Sequence, residues 1–213
     1  MLIPAVRKKI LEVFLKDPFK EIHLREISRL AKSSLTNTDN SMRLFVKNGM
    51  FNKREAANSI FFKPNFENED MVKVFEILEI ERRKVFYSKN KNIARLIKKY
   101  TDSIVELSDK RIQLVILFGS VARGKWSKGS DIDILAVVPD KEKDIVGILN
   151  KSKIDVSPLL EIRPISTTNK KFIEGFQTKA EFYDNLWKDR IVLYNEFIFW
   201  QLVKESGESG RSG

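Results

Sequence analysis

Two aspartates, Asp131 and Asp133, have the spacing that would let their carboxylates share one divalent cation. They stand on either side of Ile132 and open an apolar run, ILAVV at 134–138. Successive side chains of a β-strand point to opposite faces, so both carboxylates would lie on one face while Ile132 points into a core. Neighbouring like charges repel unless a cation neutralises them, and oxygen ligands favour Mg2+. The spacing therefore predicts a magnesium site at the start of a strand.

A glycine–serine pair, Gly119-Ser120, ends an earlier apolar run at 112–118. Glycine lets the backbone approach a phosphate closely, and the Ser120 hydroxyl adds a hydrogen-bond donor. The loop that follows carries three cations that could neutralise phosphate charge: Arg123, Lys125 and Lys128. It lacks the glycine–lysine pattern of a Walker A loop and the glycine pattern of kinases. We expect a strand, a phosphate-binding loop and a second strand, with a metal-bound nucleotide as the ligand.

The stretch from Leu117 to Ile134, LFGSVARGKWSKGSDIDI, resembles the sequence pattern of the DNA polymerase beta-like nucleotidyltransferase superfamily, in particular its small "minimal" prokaryotic members. The resemblance implies transfer of a nucleoside monophosphate, expected to be AMP from ATP, to an acceptor hydroxyl, with Asp131 and Asp133 holding two Mg2+ ions. By the same resemblance Gly119 and Ser120 would hold the triphosphate. With the loop residues, the expected nucleotide-binding set is Gly119, Ser120, Arg123, Lys125, Lys128 and Ser130. The alternative is that the SDID run merely begins a strand with solvated acids.

The resembling family uses a third carboxylate, which helps to bind the catalytic metal and accepts the proton of the attacking hydroxyl. After the second strand the sequence predicts a short helix at 141–151 and a third strand at 154–162. Strands joined by a helix usually run parallel and begin at the same sheet edge. We therefore expect Asp155 to join the two aspartates as a catalytic and metal-binding residue. Glu161 is the alternative, on the same strand face but roughly 20 Å further along.

The first third of the chain predicts three helices, at 4–16, 24–32 and 36–48, and a hairpin at 50–63. Residues 23–51, HLREISRLAKSSLTNTDNSMRLFVKNGMF, resemble the helix-turn-helix core of prokaryotic winged-helix regulators, whose third helix enters the major groove. The resemblance implies that double-stranded DNA is contacted by Thr36, Asn37, Asn40, Arg43, Lys47, Lys53 and Arg54. The alternative is a protein-interaction or dimerisation module whose lysines are simply solvated.

The charge distribution favours nucleic acid as a partner of the first third. The chain of 213 residues has a net charge of +10, and residues 1–64 carry 13 lysines and arginines against 6 acidic residues. A concentrated basic field is typical of phosphate-backbone binding. The sequence contains no cysteine, no apolar run of membrane-spanning length and no signal-peptide core, so we expect a soluble cytoplasmic protein without disulfides or membrane partners.

These observations predict an α+β protein in four parts. We expect a winged helix-turn-helix domain at 1–66, followed by a linker helix at 67–89 with a solvated ERRK run at 81–84. A nucleotidyltransferase domain at 90–205 should contain a mixed sheet flanked by helices. The tail at 206–213 should be disordered.

Two functions fit both halves of the chain. The first is a Mg-dependent nucleotidyltransferase, in an antitoxin-like role if the acceptor is a protein such as a cognate toxin. The second is a DNA-binding regulator whose nucleotidyltransferase-like domain senses nucleotide or is catalytically silent. A homodimer is compatible with either function.

Overall fold

The computed structural model describes residues 3–56, 59–127, 129–140, 144–156 and 161–208. The chain divides into two compact units, Met1–Leu78 and Glu79–Gly213, which are treated separately below. None of the helices in the described ranges is long and apolar enough to cross a membrane.

The first unit contains the predicted three helices and hairpin, followed by the start of a long helix. Its elements are α1 (Ala5–Lys16), β1 (Ile22–His23), α2 (Leu24–Leu30), α3 (Leu35–Lys47), β2 (Phe51–Ala56), β3 (Ser59–Pro64) and α4 (Glu69–Lys89), which continues into the second unit. The strands form an antiparallel sheet in the order β1-β3-β2. The short strand β1 was not predicted from the sequence.

Local sequence sets the position of α3. The Ser34 hydroxyl accepts a hydrogen bond from the Asn37 amide at 3.2 Å and so caps the first turn. Met42 and Phe45 are buried against the other helices and β2, as their helical spacing predicts. The helix is followed by Gly49 at φ +70°, a left-handed conformation that glycine adopts without strain.

The second unit is built on a mixed four-stranded sheet. After α4 come α5 (Lys91–Leu107), β4 (Leu114–Phe118), α6 (Gly119–Ala122), β5 (Ile132–Val138), α7 (Ile145–Val156), β6 (Ile162–Thr168), α8 (Asn169–Gln177), α9 (Glu181–Asp189), β7 (Ile191–Tyr194) and α10 (Glu196–Glu208). The strand order is β6-β5-β4-β7, with β5 and β6 parallel and the other pairs antiparallel. The predicted mixed sheet flanked by helices is confirmed.

The two faces of this sheet alternate along each strand. One face packs against α5 and α7 in a continuous apolar core that includes Ile97, Tyr100, Val115, Leu117 and Ile134. The opposite face contacts α8 and α10. At one end of this second face stand the acidic residues that the sequence singled out.

The predicted strand at 154–162 is wrong. Helix α7 runs to Val156, and β6 begins only at Ile162, while residues 157–160 lie outside the described ranges. Ile145, Leu149 and Ser152 are the buried residues of α7, which is helical spacing. A short run of β-branched residues cannot be assigned to strand or helix by periodicity alone, and here the helical packing wins.

Two further expectations need correction. The predicted disordered tail at 206–213 begins too early, because α10 extends through Glu208 and Ser206 is 7% exposed; residues 209–213 lie outside the described ranges. The ERRK run is only in part a solvated face, because Lys84 is exposed but Arg83 is partly covered. Arg83 forms an ion pair with Glu196 at 2.5 Å and donates a hydrogen bond to the Leu193 carbonyl at 2.7 Å.

A fully buried ion pair joins α4 to the residue before β7. Two guanidinium nitrogens of Arg190 lie 2.9 and 2.6 Å from Oε1 of Glu79, and both side chains have no exposed surface. The Arg190 guanidinium stacks 3.8 Å from the Trp187 ring centroid and also faces Phe199. Burial lowers the pKa of Arg190 to about 10, while the charge of Glu79 opposes the shift. Each charge therefore depends on the other for its counter-ion.

Removing one partner of this pair should destabilise the protein strongly. We expect Glu79→Gln to lower the free energy of unfolding by about 3–5 kcal/mol, because the buried guanidinium loses its compensating charge. The exposed pair Lys98–Asp102 provides the control: Lys98→Met should cost less than about 1 kcal/mol. Urea denaturation of the purified variants measures both free energies of unfolding. Equal losses in the two variants would contradict a special role of Glu79 in stability.

Candidate active site

The turn after β4 brings Gly119 against the carboxylate of Asp133. Phe118 and Asp133 are register partners in the antiparallel pair β4/β5, and Gly119 follows at φ +75°. A Cβ atom placed on Gly119 would lie 2.4 Å from Oδ2 of Asp133. No real side chain tolerates that distance, so the turn and the carboxylate can meet only because this residue is glycine.

The two aspartates share the sheet face that the sequence predicted. Asp131 immediately precedes β5, Asp133 is its second residue, and Ile132 between them is completely buried in the opposite core. Burial raises the pKa of the Asp133 carboxyl above its ordinary value, and the charge of Asp131 raises it further, while Arg163 and Arg123 act in the opposite direction. The raised pKa thus reflects burial first and the neighbouring negative charge second.

The residue beside this acidic pair on the neighbouring strand is an arginine. Strands β5 and β6 are parallel, as predicted, but Asp133 is the register partner of Arg163. The Arg163 guanidinium lies 2.9 Å from Oδ2 of Asp131. A positive charge therefore stands next to the place where a third carboxylate was expected.

The prediction that Asp155 supplies the third carboxylate rested on a strand at 154–162, which the structure does not contain. Asp155 lies exposed in the last turn of α7. Within the described ranges no three acidic, histidine or cysteine residues are grouped closely enough to hold a metal ion. Glu161, the alternative, is a neighbour through its backbone, since its carbonyl accepts a hydrogen bond from the Ile132 amide at 2.8 Å. Its side chain is exposed and does not complete such a group.

The loop residues that were predicted to bind phosphate have different surroundings in the structure. Arg123 forms a short ion pair with Asp189, the last residue of α9. The Ser130 hydroxyl accepts a hydrogen bond from the Ser127 amide at 2.9 Å and so closes the loop on itself. Ser120 is the second residue of α6 and its carbonyl accepts from the Lys125 amide at 3.0 Å; the Lys125 side chain is exposed, and Lys128 lies outside the described ranges.

Helix α9 forms a wall at this end of the sheet. The Phe182 ring packs edge-on against Phe118, with 5.4 Å between centroids. The Tyr183 hydroxyl lies 3.4 Å from the Thr167 hydroxyl on β6. Sequence analysis missed three residues that contact residues of the site: Arg163 pairs with Asp131, Phe182 packs on Phe118, and Asp189 pairs with Arg123. Correct placement of β6 at 162–168 would have revealed Arg163 by alternation; no local pattern marks the other two.

The donor set fits one Mg2+ ion better than two. Mg2+ is typically bound by one or two carboxylates, with water and substrate phosphates completing its coordination. Asp131 and Asp133 supply those two carboxylates beside a glycine turn that can approach a phosphate. The described residues offer no third carboxylate for a second ion. The geometry can therefore hold a metal-bound polyphosphate between acidic strand and glycine turn.

The residues expected to contact DNA lie on the surface of the first unit. Thr36, Asn37, Asn40, Arg43 and Lys47 are all exposed, and four of them recur at spacings of three or four residues along α3. Several cations have acidic partners within the unit. The ion pairs are Arg43–Asp39, Lys53–Glu55 and Arg54–Glu21.

Comparison with known proteins agrees with the geometry of the second unit. The family model described as a nucleotidyltransferase domain matches residues 97–206, just over half of the chain, and the chain belongs to this family. A relative from Methanocaldococcus jannaschii, named "Putative protein adenylyltransferase", is 32% identical over 93 residues, which cover 39% of this chain and 94% of the relative. No solved structure gives a significant match.

Gly119 and Gly124 have nearly the same backbone conformation but different surroundings. Comparing alanine variants of the two therefore separates the cost of backbone strain from the cost of a collision with Asp133. Gly119→Ala should destabilise the protein more than Gly124→Ala. Both residues have φ near +75°, so alanine costs about 1–2 kcal/mol at either, but only at Gly119 does the new methyl group collide with Asp133. Beside Gly124, apart from its chain neighbours, no atom of the residues that the structure describes lies within 4 Å of such a methyl group. Thermal and urea unfolding measure the difference; equal losses would refute the close contact.

Proposed function

We propose that the second unit transfers a nucleoside monophosphate, with AMP from ATP as the leading substrate, to a hydroxyl group of another protein. The observation that carries this proposal is the Asp133 carboxylate packed against Gly119, with Asp131 on the same sheet face. The nucleotidyltransferase family match supports the reaction class. The name of the Methanocaldococcus relative, a putative protein adenylyltransferase, supports AMP transfer to a protein acceptor.

In this proposal each group of the site has one task. Asp131 and Asp133 would hold the Mg2+ ion that accompanies the nucleotide, and the turn at Gly119-Ser120 would bind its terminal phosphates. When bound, Mg2+ would neutralise the triphosphate and make its α-phosphorus more electrophilic. The acceptor oxygen forms a bond to that phosphorus as the bond to pyrophosphate breaks. We assign the hydroxyl proton to water, because the described residues bring no third carboxylate to this rim.

Substitution of either aspartate should remove transfer while sparing the fold. Asp131→Asn and Asp133→Asn should each lose more than the roughly 10- to 100-fold typical of residues that only support a metal ligand. Asp155→Asn should retain activity, because Asp155 is exposed on α7. The assay is incubation with Mg2+, ATP labelled at the α-phosphate and a lysate of the source organism, followed by detection of labelled protein. Full activity of both aspartate variants would overturn the assignment.

A second candidate function is supported by the Arg163–Asp131 ion pair. An arginine that occupies one metal-binding carboxylate is compatible with a domain that binds nucleotide and Mg2+ slowly or without turnover. On this alternative the protein is a DNA-binding regulator that senses nucleotide. The labelling assay separates the two functions, since nucleotide binding without any labelled product or released pyrophosphate favours the regulator.

We further propose that the first unit is a winged helix that binds double-stranded DNA through α3 and the β2–β3 hairpin. The exposed polar face of α3 and the net charge of +7 over residues 1–64 support this proposal. The acidic partners of Arg43, Lys53 and Arg54 weaken the local field, so Lys47 is the cation best placed to contact a phosphate. Regulation of a gene for the protein acceptor, such as a toxin, would unite both activities in an antitoxin-like role.

Removal of the Lys47 charge should reduce the salt dependence of DNA binding. We expect Lys47→Ala to lower the slope of log affinity against log salt concentration by about 1, because one phosphate contact is lost. Lys9→Ala, which removes an exposed lysine from α1, should leave the slope unchanged. Fluorescence anisotropy with duplex DNA at several salt concentrations measures both slopes. Absence of DNA binding by the unaltered protein would leave the first unit as a protein-interaction module.

A further inference from the structure

Both ends of helix α9 contact the segment that contains the glycine turn. At its start, Phe182 packs against Phe118, the residue immediately before Gly119. At its end, Asp189 pairs with Arg123, the residue that follows α6. Tyr183 also reaches Thr167 on β6, on the other side of β5. The first turn of α9 therefore crosses the sheet face that carries the acidic pair.

Phe182 keeps a large exposed surface in this position. Its exposed fraction is 38%, although its ring already contacts Phe118 and Tyr183. Phe118 and Asp133 are adjacent in the antiparallel register, so their side chains lie on the same face at about 5 Å between Cβ atoms. An exposed aromatic ring thus stands one side chain away from a carboxylate of the acidic pair.

A second apolar side chain faces the same end of the sheet. Ile165 follows Arg163 by two residues on β6 and therefore points to the same face. Its exposed fraction is 41%, which is large for an isoleucine within a strand. Phe182 and Ile165 therefore expose apolar surface on the sheet face that carries the charged residues Asp133 and Arg163.

We propose that Phe182 is the stacking platform for the nucleobase of the bound nucleotide. This proposal rests on the function proposed above, because the acidic pair and the glycine turn fix where the triphosphate lies. With the phosphates held there, the base extends along the sheet face and its flat surface covers the exposed ring, while Ile165 offers apolar surface on the same face. Every base has an aromatic face, so stacking on phenylalanine adds affinity without reading hydrogen-bonding groups.

The proposal predicts a loss of binding that depends on the base. Phe182→Ala should weaken the binding of a non-hydrolysable ATP analogue with Mg2+ by about tenfold, in the range found when aromatic stacking partners of bases are replaced by alanine. Binding of inorganic tripolyphosphate with Mg2+ should not change, because this ligand has no base. Isothermal titration calorimetry of the full chain measures both affinities.

Two more variants separate stacking from simple packing. Phe182→Tyr should retain the affinity for the ATP analogue, and Phe182→Leu, which keeps apolar bulk beside Phe118, should lose it. Phe197→Ala is the matched control, because Phe197 on α10 has a similar exposed fraction of 49%; it should leave both affinities unaltered. Thermal unfolding of each variant reports whether the fold survives.

The outcomes distinguish this proposal from the one on which it rests. Equal weakening of the ATP analogue and tripolyphosphate by Phe182→Ala, or full affinity in Phe182→Leu, would overturn the stacking role and leave the transferase proposal standing. Failure of the unaltered protein to bind either ligand with Mg2+ would overturn both proposals.

Discussion

The close approach of the Asp133 carboxylate to Gly119 is the constraint on which the candidate site depends. It requires a residue without a side chain at φ +75°, and it requires β4 and β5 to pair in the register that sets Phe118 opposite Asp133. The apolar core beneath Leu117, Ile132 and Ile134 fixes that register, because a slip by one residue would expose all of these side chains. Packing on one face of the sheet thereby positions charge on the other.

Charge at this site is balanced within the protein. Two carboxylates lie together at a partly buried rim, and the positive side chains of Arg163 and Arg123 lower the cost of that arrangement. Both arginines are engaged by acids, Arg163 by Asp131 and Arg123 by Asp189. A metal-bound nucleotide would bring its own cation to the aspartates and its own anions to the arginines. The internal ion pairs are thus the interactions that such a ligand would exchange.

The sequence predicted the parts of the site that follow from alternation and from turn chemistry. Asp131, Asp133 and Gly119 were identified because a strand period of two and a glycine turn leave local patterns. The β-branched run around Ile154 was misassigned because a short apolar run suits a strand or a helix equally well, and the expected position of Asp155 rested on that strand. The buried Arg190–Glu79 pair joins residues that are distant in sequence, and so do the contacts of α9 with Phe118 and Arg123. No local sequence pattern predicts such contacts.

The most direct test of the account is to locate a divalent ion in crystals grown with Mn2+ and a non-hydrolysable ATP analogue. Mn2+ substitutes for Mg2+ at oxygen sites and is identified by anomalous scattering. The account predicts one strong anomalous peak in coordination distance of both Asp131 and Asp133, with the terminal phosphates against the Gly119 turn. A nucleotide bound elsewhere, or an intact Arg163–Asp131 pair with no ion beside it at saturating ligand, would contradict the central claim.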